Sequence, residues 1–160
     1  MQVQGGGSEG VYELVEEIVL EEDVSSIFRD RTPAGETYNF KHLLLFCECP
    51  AVPGYTHSSN VTYYVFLGAT AKYENTIASS PSFFSSEYTA YASIRMDCNN
   101  GRVFGNSMVS ANNRYNLSTL QGSMMQNGFK ESDVIDGFCL WSYSGKFYAG
   151  LKIEIWGVRA

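Results

Sequence analysis

The chain has 160 residues and a mass of 17.8 kDa, the size of one domain, and a chain of that length buries enough apolar surface to fold without disulfides. Hydrophobic residues make up 44% and charged residues 18%, with 11 Tyr, 10 Phe and 2 Trp, which argues against an intrinsically disordered chain. A net charge of −6 without any Lys/Arg cluster argues against nucleic acid or an anionic membrane surface as partner, and no apolar run approaches the length of a membrane span.

Residues 1–10, "MQVQGGGSEG", are expected to be a flexible Gly-rich lead-in, with either a native arm or an engineered linker fitting the composition; residues 11–160 are expected to form a single domain. The lead-in has neither a basic segment nor an apolar one, so no signal peptide is expected. In the next stretch, "VYELVEEIVLEEDVSSIF", two periods compete. Val11, Leu14, Val15 and Ile18 fit a helix face, whereas Val19, Leu20, Val24, Ile27 and Phe28 prefer strands, and periodicity alone leaves both open.

Beyond it the strand signal is clear. Phe40–Pro50, Val61–Ala69, Tyr88–Cys98, Arg102–Ser110, Asp133–Tyr143 and the terminal "KIEIWGVR" are all rich in β-branched and aromatic residues. Turn chemistry separates them at Thr32–Glu36, Cys49–Tyr55, Asn99–Arg102, Gln126–Phe129 and Tyr143–Phe147. Asn100-Gly101 is the sharpest hairpin signal, suited to a two-residue turn with positive φ at both central positions, and makes Tyr88–Val109 one hairpin. At least six strands without a convincing long helix give an all-β class, an antiparallel sandwich or barrel. The closing segment, Gly150–Ala160, alternates up to Trp156 and Val158 and is expected to be tied into a sheet rather than to fray.

Cys47 and Cys49 lie two apart in a strand run, an awkward geometry for a mutual bridge, while Cys98 and Cys139 stand alone. Without paired zinc-type spacing, all four are expected to be reduced, mostly buried thiols of a protein assembled in a reducing cytosol; no metal or other cofactor is expected. No catalytic constellation emerges either. His42 sits inside an apolar strand and His57 in a polar loop; the acidic residues of Glu13–Asp23 share one segment and read as a solvated rim or a guarded edge strand. Asp133 and Asp136 read as turn caps, and the glycines Gly101 and Gly105 lack the Lys-Ser/Thr of a phosphate loop. Asn60 and Asn116 match the glycosylation sequon in a chain with no secretory context. What stands out is Ser79–Ser93 and Asn112–Phe129, rich in Tyr, Phe, Ser and Asn, which read as surface loops suited to contacting a partner subunit or a glycan.

Three short motifs can be read together: Tyr12-Glu13-Leu14-Val15, Tyr38-Asn39-Phe40-Lys41, and the closing Ile153-Glu154-Ile155-Trp156-Gly157-Val158-Arg159. In combination, over residues 12–50 and 145–160, they resemble a C-terminal domain of tail and other virion proteins from bacteriophages and prophages of gut Firmicutes. The resemblance implies a jelly-roll-like β-sandwich. It also makes residues 11–20 a strand, with Leu14 and Val15 marking a bulge or a change of face. The function it implies is non-enzymatic: a virion structural protein assembled in the bacterial cytoplasm, contributing to host-surface adsorption at a tail fibre or baseplate. Expected partners are further copies of the chain, with a trimer favoured, other virion proteins and a host cell-surface glycan. The alternative is a capsid decoration or head-fibre protein, and a polysaccharide depolymerase or esterase ranks below both.

Overall fold

Ten strands form among the described residues: β1 (Glu13–Val19), β2 (Ser26–Arg29), β3 (Phe40–Cys49), β4 (Val61–Leu67), β5 (Thr70–Thr76), β6 (Ala90–Asp97), β7 (Arg102–Ala111), β8 (Arg114–Ser123), β9 (Gly137–Ser142) and β10 (Lys152–Arg159). The structure, a computed structural model, describes residues 10–54, 61–67, 70–76, 86–99, 102–111, 114–123, 136–142 and 146–160; for 61–67, 70–76, 102–111 and 114–123 it describes the backbone. All strand pairs are antiparallel. One sheet has the order β1-β10-β3-β6-β7-β8 and the other β2-β9-β4-β5, so the chain passes repeatedly from one sheet to the other.

Period-two patterning decides what each strand buries. In β3, Leu43, Leu45, Cys47 and Cys49 point inward, and in β6 Ala90, Ala92, Ile94 and Met96 do the same. Ile153 and Ile155 of β10, together with Phe138 and Leu140 of β9 and Ile27 of β2, join them in one core cluster drawn from both sheets. Removing each of the Leu, Ile, Met and Phe side chains among them from water stabilises the fold by about 1.5–3 kcal/mol. The chain end is therefore held from both sides: β10 lies between β1 and β3, with Ile153 and Ile155 fully buried.

Residues 13–19 are a strand, and the register slips between Leu14, opposite Trp156, and Glu16, opposite Ile155, so Val15 is the extra residue of a bulge. The slip turns Glu16 inward on an edge strand. There it meets Arg29 of β2, the edge of the other sheet: Arg29 Nε donates to both Glu16 carboxylate oxygens at 3.0 and 2.8 Å, and Nη2 to Oε1 at 2.8 Å. An inward charge of this kind ties the two sheets at one side and discourages pairing by a foreign strand.

Turn chemistry explains the described connections. In Thr32–Glu36, Gly35 takes φ +82°, Thr32 N–H donates to the Glu36 carbonyl and Glu36 N–H to the Thr32 hydroxyl. The β6–β7 ladder gives the expected hairpin, and four residues, 98–101, lie between its last described pair, Asp97 and Arg102, where a two-residue turn had been expected. Asn100 and Gly101 themselves lie outside the described residues, as do the Gln126–Phe129 turn and Asp133.

Two expectations need correction. Asn112–Phe129 is not a loop throughout: Arg114–Ser123 is β8, paired along its whole length with β7. Ladder hydrogen bonds come from the backbone, so a Ser/Asn/Thr-rich segment can pair as an edge strand without an apolar pattern. The same reason hides β5, whose "TAKYENT" is polar. Likewise Ser79–Ser93 runs into β6 at Ala90, with 79–85 outside the described residues.

Candidate recognition face

The inward residues of β1, β10, β3 and β6 fix what the opposite face of that sheet carries. Cross-strand register sorts the outward residues into rows: Leu14, Trp156, Leu44 and Arg95 in one; Glu17, Glu154, Phe46 and Ser93 in the next; Val19, Lys152, Glu48 and Tyr91 in the third. Phe46 and Tyr91 remain 46% exposed and Leu14 50%, whereas the inward neighbours Leu45 and Ile94 are at 0%. Phe28 of β2, in the other sheet, is 42% exposed as well, so a half-open ring is not by itself unusual here; what sets Phe46 and Tyr91 apart is that they lie on neighbouring strands of one sheet face.

Three aromatic residues run diagonally across this face. Trp156 on β10 faces Leu44, two residues before Phe46 on β3; Phe46 faces Ser93, two residues after Tyr91 on β6. Each step is a diagonal cross-strand neighbour at about 7–8 Å, so the three rings span ~15 Å over adjacent strands. Beside the diagonal runs a polar chain. The Trp156 indole N–H donates to Glu154 Oε2 at 3.2 Å, and Lys152 Nζ lies 3.2 Å from Glu154 Oε1 and 3.3 Å from Glu17 Oε2. The indole hydrogen bond, then Lys152, holds the Glu154 carboxyl below the usual carboxylate range, and Glu154 and Glu17 raise the Lys152 ammonium. Glu154 and Lys152 thus stay charged at neutral pH, and Glu154 accepts the indole's hydrogen bond.

Other candidate groups lead elsewhere. His42 Nδ1 stands 3.7 Å from Asp97 Oδ1, beyond hydrogen-bond reach, and His57 lies outside the described residues. Cys47, Cys49 and Cys98 are free and buried and Cys139 is free and half-buried, as expected, and burial pushes the Cys47 and Cys98 thiols up to about 12. Cys47 and Cys49 thus belong to the core. Asp136 precedes β9 as a half-buried residue with carboxyl oxygen Oδ1 out of water. Among the described residues no group of three or more His, Cys, Asp or Glu could hold a metal ion.

A shallow depression of ≈ 250 Å³ lies where β1 meets the Thr32–Glu36 turn. Its one cation is already committed: Arg159 Nε donates to Glu13 Oε1 at 2.7 Å and Nη1 to Glu36 Oε2 at 3.2 Å, with the guanidinium 5.0 Å from the Phe40 ring. That is a latch between the chain end, β1 and the turn.

Sequence reasoning assigned recognition to loops. Tyr91 falls in one of those stretches but lies on a strand, and Phe46 and Trp156 were grouped with strand residues. Period two in "LLLFCEC" and "AYASIRM" places Phe46 and Tyr91 outward; their alignment needed the register, which no local pattern encodes. Comparison with protein-family models, with curated proteins and with solved structures finds no match.

Proposed function

We propose that the chain is a non-catalytic domain of a bacteriophage or prophage virion, a jelly-roll-like β-sandwich that contributes to adsorption on the host surface from a tail fibre or baseplate, assembled as a homo-oligomer with a trimer favoured. The observation that carries the reading is where the three resembling motifs fall. Leu14 pairs with Trp156 and Arg159 with Phe40, so segments far apart in sequence lie side by side as β1, β10 and β3. Gly157 is the keystone: a Cβ there would come within 2.5 Å of Phe40 Cδ1 and 3.1 Å of Val15 Cγ2, so one residue from each motif meets at that point. Motifs that assemble into one packed unit behave as one signature. The sandwich form is supported by the single core cluster drawn from both sheets.

A rigid sheet carrying half-exposed aromatics suits adhesion, where several weak contacts per subunit become strong through multivalency. The test is binding of fluorescently labelled protein to whole cells of a panel of gut Firmicutes, competed with unlabelled protein. Saturable, competed binding to a few strains is expected. Uniform absence of binding by folded protein would instead favour capsid decoration, and a sizing column with light scattering measures the oligomer.

A further inference from the structure

We infer that the outer face of the β1-β10-β3-β6 sheet is a docking platform for an extended, uncharged glycan chain laid along the Trp156–Phe46–Tyr91 diagonal. The inference rests on the reading of the chain as a recognition domain and names the chemistry it recognises. A pyranose ring has an apolar C–H face and a rim of hydroxyls. The C–H face suits the negative face of an aromatic ring, and the hydroxyl rim suits carboxylates and guanidinium groups as partners. The sheet offers both in alternation: Phe46 stands between Glu154 and Ser93 across the strands, and Tyr91 stands opposite Glu48. Trp156 is already oriented by Glu154, so the platform's first ring is preorganised.

Charge selects against the two other occupants. The described rows hold three carboxylates, Glu17, Glu154 and Glu48, against two cations, Lys152 and Arg95. Closing two copies of the face together would bury that excess of like charge, at a cost of several kcal/mol per ion left without a full set of partners. A phosphate- or uronate-bearing polymer meets the same net negative charge, on a chain of net charge −6. A neutral chain avoids both penalties and can form hydrogen bonds with the acids. Its reach is set by the diagonal: ~15 Å requires several consecutive sugar units, so short saccharides bind weakly and polymers well.

Affinity gel electrophoresis of the whole chain tests this, with mixed-linkage glucan, galactomannan and dextran as uncharged polymers and polygalacturonate as the anionic one. Retardation by at least one neutral polymer is expected, weakened about tenfold by Phe46→Ala or Tyr91→Ala, as the loss of one ring contact predicts. Both substitutions sit on an outward surface, and cooperative melting within a few degrees of the unsubstituted chain verifies that the variants fold. Retardation by polygalacturonate alone, retardation indifferent to both substitutions, or none by any neutral polymer would overturn the inference. So would self-association lost in Tyr91→Ala, which would identify a second copy as the occupant. Whole-cell binding that survives both substitutions would overturn the platform and leave the adsorption reading standing.

Discussion

The two faces of the β1-β10-β3-β6 sheet are built from the same strands, yet they differ in kind. One face is aliphatic and sulfur-bearing, with Leu43, Leu45, Ile94, Met96, Ile153 and Ile155 all at 0% exposure. The other alternates rings with charges, and Phe46 and Tyr91 each keep nearly half of their surface in water. Burial rewards shape and punishes polarity, so the inner face is constrained by packing. The outer face carries no such constraint, and its rings stabilise the fold far less than equal rings inside would. The contrast separates what holds this domain together from what it presents.

Among single substitutions, the largest expected effect breaks the inner face. Leu45→Ala removes a fully buried side chain from the cluster shared by both sheets and should cost about 2–5 kcal/mol, read as a lower urea midpoint at unchanged slope. Raising the pH acts on the same face. The Cys47 and Cys98 thiols are held up to about 12 by burial, from an ordinary value of 9.0, and burial raises Cys49 and Tyr38 as well. The unfolded chain releases these protons first. Stability should therefore be level below pH 9 and fall as pH rises from about 9 to about 12 with the Cys47 and Cys98 thiols, by up to ~1.4 kcal/mol per pH unit for each of these two, with Tyr38 adding to the loss only above about pH 10. Urea titrations across that range check it, and Cys47→Ala should remove one proton from the slope while Phe46→Ala leaves it alone.

A smaller effect tests the junction of the motifs. Gly157→Ala places a methyl against the buried Phe40 ring, which has little room to move, and should cost about 1–3 kcal/mol. Stability unchanged by this substitution would mean that the three strands tolerate a wider spacing at Gly157 than their packing requires.

How much of this could be read from the chain alone follows the same division. The strands with an inward apolar row, β3, β6 and β10, declared themselves through period two, and the burial of Cys47 and Cys49 was expected from their residue type. The β5 and β8 strands did not, because edge strands rely on backbone hydrogen bonds and tolerate polar sequences such as "TAKYENT". For residues 13–19 local periodicity was ambiguous, since the bulge at Val15 breaks the alternation that would have marked a strand; the likeness to the other motifs resolved it. The candidate recognition face was least legible. That Trp156, Phe46 and Tyr91 align depends on the registers of β10 with β3 and of β3 with β6, which are set by core packing across residues roughly 45 to 110 apart in sequence.

The most direct test of the division between the faces is one double variant, Phe46→Ala/Tyr91→Ala, measured twice on the same preparation, for thermal unfolding and for whole-cell binding. A loss of stability under about 1 kcal/mol together with loss of saturable binding is the predicted result. Binding retained at full strength, or a stability loss as large as that of Leu45→Ala, would contradict the account.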